Sequence, residues 1–300
     1  MPSFDVICFI SGTKILIVGG LVFARSLDRC MFTRTTYTLE VNFDDTSITK
    51  IEYKYVPDVS NYIYRAAFGN FGGRSLIIGG DVDNKCFHFD QEKYQVTPSL
   101  NGRRKDAAST FIQYKVILAG GHDGKEIADS IEILDWDESN HGSQWIRSPS
   151  RLPIKVQNHT MATCNDKLYV IGGQSVKSRC KQLHTIWEGT FSSQKNEISW
   201  VQLGLRLQRS RSCHFSFVIS NQIIIFGGQL VGANDVIEII EGNELKQGPK
   251  VPFQLDTVGD QAILDRQNRI VIISNKHGLI LYDLQEKYYF LKQNSCSEAF

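Results

Sequence analysis

The segment Lys115-Val116-Ile117-Leu118-Ala119-Gly120-Gly121-His122-Asp123-Gly124 runs from an aliphatic strand former into two adjacent glycines and then an Asp-Gly turn. The same form recurs at Lys14 to Val18 before Gly19-Gly20, Arg74 to Ile78 before Gly79-Gly80, Lys167 to Ile171 before Gly172-Gly173, and Gln222 to Phe226 before Gly227-Gly228. A sixth copy, Arg269 to Ile273, continues as Ser274-Asn275, so its glycines are missing. Taking Gly19, Gly79, Gly120, Gly172, Gly227 and Ser274 as reference points, the steps are 60, 41, 52, 55 and 47 residues, with a mean of 51. The runs are short, rich in Ile, Val and Leu, and bounded by turn formers, which predicts buried strands and not helices.

Three further segments accompany each run. An apolar one precedes it, as at Ala108 to Ile112, His159 to Thr163, His214 to Ile219 and Gln261 to Leu264. After it come a strand such as Cys86 to Phe89, Ser130 to Leu134 or Asp235 to Ile240, and then an aromatic-bearing strand at Tyr94, Trp145, Trp200 or Tyr288 to Leu291. That makes four strands per period and six periods. A four-stranded sheet cannot bury both faces alone, so the expected fold is all-β: a six-bladed β-propeller with four antiparallel strands per blade.

The chain resembles the kelch-repeat family, whose repeat has Gly-Gly after the second strand, then Asp-Gly, then an aromatic and a Trp. Gly120-Gly121-His122-Asp123-Gly124, Ser130-Ile131-Glu132 and Trp145 give the fullest copy, and Arg211-Ser212-Cys213-His214 matches the family's Arg ahead of a His-led first strand. The period is also near the kelch value of roughly 50 residues. The expected organisation is one propeller over 1–300, with blades near 3–55, 61–97, 106–147, 156–202, 212–248 and 257–293. Each blade is then contiguous in sequence, and no room remains for a BTB or F-box segment.

Composition narrows the function. With 33 basic and 32 acidic residues the formal charge is +1, without the basic excess of a dedicated nucleic-acid binder. The most apolar run, Ile15 to Ala24, is broken by glycines and too short for a membrane helix, and Asp5 interrupts any leader-like stretch. Seven scattered cysteines with no Cys-x-x-Cys pair read as reduced thiols of a cytoplasmic protein.

No histidine or cysteine has metal-ligand spacing, so neither a metal nor a cofactor is expected. His159 and His214 read as structural residues on first strands, and Cys213 and His214 as pointing to opposite faces of one strand. The four tryptophans read as packing residues, with Trp136 at a polar turn as the candidate exception. Asp123-Gly124 reads as a turn. The resemblance also reaches enzymes, among them copper radical oxidases and sialic acid mutarotases; the copper ligand set cannot be assigned, and a sugar-modifying enzyme of the mutarotase kind is the alternative function.

The loops between strands two and three, and those from strand four to the next blade, open on one face. That face collects Arg25, Arg29, Arg104, Lys105, Arg151, Lys155, Lys177, Arg179, Arg209 and Arg211. With the other charges placed there it carries an excess of about +10, and the opposite face is acidic. Solvated loops are the plain reading. The sharper expectation is a non-catalytic scaffold or recruitment module, cytoplasmic or cytoskeletal and within a larger complex. It binds an acidic or phosphorylated protein segment through these ten residues.

Overall fold

The computed structural model describes residues 6–11, 14–24, 29–43, 48–56, 62–71, 74–90, 93–136, 144–176, 182–229, 236–251, 261–264, 268–274, 278–283 and 289–290. Among these, the strands form six four-stranded sheets and one two-stranded hairpin, with no α-helix. The six sheets are the blades of a six-bladed β-propeller, and each is contiguous in sequence.

Blade one holds β1 (Val6–Ser11) and β2 (Lys14–Val18), then the hairpin β3 (Leu21–Ala24) with β4 (Arg29–Phe32), then β5 (Thr36–Phe43) and β6 (Ile48–Val56). Blade two is β7 (Ala67–Phe71), β8 (Arg74–Ile78), β9 (Cys86–Asp90) and β10 (Lys93–Thr97). Blade three is β11 (Ala108–Ile112), β12 (Lys115–Ala119), β13 (Ser130–Asp135) and β14 (Trp145–Arg151). Blade four is β15 (Thr160–Cys164), β16 (Lys167–Ile171), β17 (Leu183–Ser192) and β18 (Glu197–Arg211). Blade five is β19 (Phe215–Ile219), β20 (Gln222–Phe226), β21 (Val236–Glu241) and β22 (Glu244–Lys250), and blade six is β23 (Gln261–Leu264), β24 (Ile270–Ser274), β25 (Gly278–Tyr282) and β26 (Tyr289–Phe290). Blade six forms its strands although Ser274 stands where the other blades have glycine.

The chain divides into two compact units. The first contains Met1–Ile77, Phe87–Val96 and Val258–Phe300. In it the second strands bury both faces: Ile15 and Ile17 join Leu39, Val41, Ile263, Val271, Leu279 and Leu281, while Leu16 and Val18 join Val56, Ile63, Ile77, Phe87 and Phe89. A continuous aliphatic run is what a strand covered on both sides requires.

The second unit contains Ile78–Cys86 and Thr97–Thr257. Its blades repeat the same packing, with Ile117, Ala119, Leu168 and Val170 in one cluster and Tyr169, Ile171, Ile223 and Ile225 in the next. Strands one and two are joined by two-residue turns at Gln113-Tyr114, Asn165-Asp166 and Ser220-Asn221, with both residues of each at positive φ. That is the turn whose twist matches the flanking strands.

The paired glycines fasten one blade to the next. Backbone N–H groups of Gly20, Gly80, Gly121 and Gly173 donate to the carbonyls of Ile63, Arg104, Val156 and Arg211 at 3.0, 2.8, 2.8 and 2.9 Å. Each acceptor lies in the lead-in to the following blade's first strand. Gly172 shows why glycine is needed: its φ is +59°, and a Cβ there would sit 2.6 Å from the Arg211 carbonyl oxygen and 2.9 Å from His214 Cε1.

Candidate functional site

In the second unit, the residue after each glycine pair meets the next lead-in or its own. Lys105 and His122 exchange backbone hydrogen bonds at 3.1 and 2.8 Å, Gln157 and Gln174 do so at 3.0 and 2.8 Å, and Gln229 N–H donates to Ser212 at 2.7 Å. The loops between strands two and three are thereby stitched to the loops between blades. This is the pair of loop sets that the strand count places on one face.

Side chains extend the stitching into a polar row. Lys105 Nζ lies 2.7 Å from Asp81 Oδ1, Asn158 Nδ2 donates to Gln174 Oε1 at 3.4 Å, and Gln174 Nε2 donates to Ser212 Oγ at 3.1 Å and Gln229 Oε1 at 3.5 Å. Asp81, His122, Gln174 and Gln229, one from each successive loop, are all half-buried. Amides can donate and accept, so this row can pair with a peptide main chain or with hydroxyls.

Beyond the row, the loop of blade three is held by its acid. Asp123 Oδ1 accepts the N–H groups of Lys125 and Glu126 at 2.8 and 2.9 Å, and these bonds pull its carboxyl below the usual range. Asp123-Gly124 is therefore a turn, as expected from the sequence. Lys155 pairs with Glu126 at 2.5 Å and Arg151 with Asp129 at 2.7 Å.

The ten cations singled out in the sequence separate accordingly. Arg25, Lys177 and Arg179 lie outside the described residues, and Arg29 lies in β4, with nothing described of its side chain. Lys105 and Lys155 are on the loops and Arg151 ends β14, each beside a carboxylate. Arg209 is exposed near the end of β18. Arg104 and Arg211 are corrections: they are 5% and 0% exposed and cannot meet a partner.

What buries them is a glutamate in the third strand. Arg104 Nη2 donates to Glu132 Oε1 at 2.9 Å and its Nη1 to the Gly120 and Ser130 carbonyls at 3.0 and 3.2 Å. Arg211 repeats the pattern with Glu238 Oε1 at 2.5 Å and the Gly227 and Val236 carbonyls at 3.0 and 3.4 Å. The second carboxylate oxygen is used alike, accepting the N–H of Asn101 at 2.9 Å and of Gln208 at 2.7 Å. Burial lowers both guanidinium pKa values, and the paired glutamate opposes the shift. Blades two and four put apolar residues at these positions, Ile63 with Phe87 and Val156 with Trp187.

The sequence reading placed neither glutamate in this role, although the signal is visible: Ile131-Glu132-Ile133 and Ile237-Glu238-Ile239 each set one acid inside an otherwise apolar strand. Two smaller corrections follow. Cys213 and His214 do not alternate along a strand, because β19 begins at Phe215 and Cys213 has φ 51°. Trp136 is buried, not displayed on a turn.

His159 and His214 are buried against the glycines of the preceding blade. A Cβ on Gly120 would meet His159 Cε1 at 2.6 Å, and His214 Nε2 lies 2.9 Å from Thr160 Oγ1. Burial alone holds His159 down to about 4, and burial with the charges of Arg211 and His159 keeps His214 well below its ordinary value. Among the described residues no three His, Cys, Asp or Glu side chains gather as a metal site.

The kelch motif matches residues 157–188, which run from the lead-in of blade four into its third strand. Of solved structures, the chain is similar to one described as "Structure of YjhT", at 11% identity over 97% of each chain with a TM-score of 0.69. At that identity the likeness is one of fold. No curated protein matches the sequence.

Proposed function

Because this chain is a kelch-repeat β-propeller, we propose that it is a non-catalytic protein-interaction module that binds an acidic or phosphorylated partner segment on the loop face of its second unit. One observation carries the reading: three successive loop pairs are fixed by backbone bridges at Lys105/His122, Gln157/Gln174 and Ser212/Gln229. A surface ordered before binding loses little further entropy when a partner arrives.

The amides of Gln174 and Gln229 supply main-chain contacts, and the exposed Arg103, Arg151 and Arg209 supply charge at the margins. Such rim charges speed encounter and set specificity more than they add affinity. The free thiols of Cys86, Cys164 and Cys213 suit a reducing, cytoplasmic setting for a scaffold within a larger complex or on the cytoskeleton. No helix among the described residues is long and apolar enough to cross a membrane.

The test uses arrays of short acidic, phosphorylated and neutral peptides against the full chain. Acidic or phosphorylated peptides are expected to be retained at physiological salt and lost on combined Arg103→Glu and Arg209→Glu substitution; equal retention of neutral peptides overturns the charge preference. The same amide row suits sugar hydroxyls, which sustains a mutarotase-like enzyme as the second reading. Accelerated anomer exchange of a sialic acid, followed by NMR and abolished by Gln174→Ala, would establish that reading in place of the first.

A further inference from the structure

The hairpin formed by β3 and β4 fills the connection between the second and third strands of blade one, where blade three has the strandless loop 120–129. It ends in Met31 and Phe32, 41% and 42% exposed, beside Tyr62 at 45%. Phe32 packs 6.3 Å from the Tyr62 ring and 5.3 Å from the Tyr64 ring, and the Arg34 guanidinium lies over Tyr62 at 5.4 Å. These rings are ordered by one another, yet each of the three side chains leaves over two fifths of its surface in water.

Met, Phe, Tyr and Arg are side chains over-represented where proteins bind, and aromatics lose little conformational freedom on contact. Arg34 adds direction. Its face is taken by Tyr62, and it has no ion pair among the described residues. A stacked guanidinium keeps its in-plane N–H edge for a carboxylate, which it can grip with two parallel bonds.

We propose that Met31, Phe32, Arg34 and Tyr62 form a second docking surface, built of other residues than the loop row of the second unit, for a peptide segment in which an apolar side chain stands next to a carboxylate. The apolar side chain covers Phe32 and Met31, and the carboxylate meets Arg34. The surface lies wholly in the first unit and does not depend on the loop-face reading.

The test titrates the full chain with a labelled peptide carrying one Leu between two Glu, and with matched peptides in which Glu becomes Gln or Leu becomes Ser, by fluorescence polarisation. The parent peptide is expected to bind at least tenfold more tightly than either matched peptide. In a background carrying Arg103→Glu with Arg209→Glu, which removes capture of acidic peptides by the second unit, Arg34→Ala and Phe32→Ser should each still cost about tenfold or more. Phe32 and Arg34 are both exposed, and unchanged thermal melting verifies that the variants fold. The proposal is overturned if Gln replaces Glu without loss, if no peptide binds, if Phe32→Ser merely dissolves a dimer seen by ultracentrifugation, or if anionic vesicles take the site in place of the peptide.

Discussion

Arg104 donates to Glu132 at 2.9 Å with both side chains shielded from water, and two blades later Arg211 and Glu238 repeat the arrangement. The blades between and before them fill the same space with hydrocarbon. One scaffold thus accepts either a charged pair or an apolar pair at one position, but leaves no room for half of each.

Removing one partner should therefore cost far more than exchanging both. Arg104→Ile alone is expected to lose about 3–5 kcal/mol, because Glu132 is left buried and unpaired. Arg104→Ile with Glu132→Phe, copying blade two, should lose much less than the two single changes combined. Denaturant unfolding of the four proteins in a double-mutant cycle checks this, and simple additivity would refute it. Arg151→Ala, at a pair with 69% of the arginine side chain exposed, should change stability by less than about 1 kcal/mol.

The glycines make a sharper contrast. Gly172→Val forces a side chain into the left-handed region and against the Arg211 carbonyl, and should destabilise by about 2–4 kcal/mol. Gly204→Ala meets nothing within 4 Å on β18 and should be neutral or slightly stabilising. Thermal melts of the two variants side by side decide it.

Acid should weaken the fold before carboxylates are exhausted. His159 holds its proton only near pH 4 in the folded chain, against about 6.5 when unfolded, so the unfolded state binds the extra proton between those values. The stability is full above pH 6.5 and falls as pH drops to 4, by on the order of 3 kcal/mol. His214 adds to the fall in the same direction. The Thr160 hydroxyl lies against its ring, and the neighbouring Arg211 and His159 both disfavour a charged one. Urea midpoints between pH 7 and pH 4 should converge for wild type and His159→Gln as the pH falls, and parallel curves would contradict the assignment.

Thiol reactivity should follow burial. Burial raises Cys86 to about 12 and lifts Cys164 as well, so both remain protonated and inert in the native protein. Cys213 is half-buried. Of these three cysteines, brief alkylation near pH 8 with peptide mapping should modify Cys213 first and Cys86 only after unfolding.

Much of this was readable from the residues. Five glycine pairs after aliphatic runs specify the second strands, and the spacing to the segments at Ala108, His159 and His214 specifies the first strands to within a residue, because both patterns are local. Arg104 and Arg211 were misplaced for the opposite reason: their partners lie 28 and 27 residues downstream, and a surface arginine looks the same in sequence as one drawn inward by such a partner. The candidate loop face was legible as a set of loops. Its bridges at Gln157/Gln174 and Ser212/Gln229 were not, since backbone pairing between loops leaves no mark in residue type. The hairpin at Phe32 was visible only as extra length after Gly20, because aromatic exposure is decided by neighbours such as Tyr62 that arrive later in the chain.

The bonds from Gly20, Gly80, Gly121 and Gly173 all run from one blade to a carbonyl of its successor. During synthesis each of these four blades therefore emerges with its glycine corner unsealed, and waits on the order of seconds for the ribosome to deliver the residue that seals it. These four corners close in order, like a zip, and a translational pause within a lead-in such as Ile63 or Val156 would leave the preceding corner open to misassembly for as long as the pause lasts.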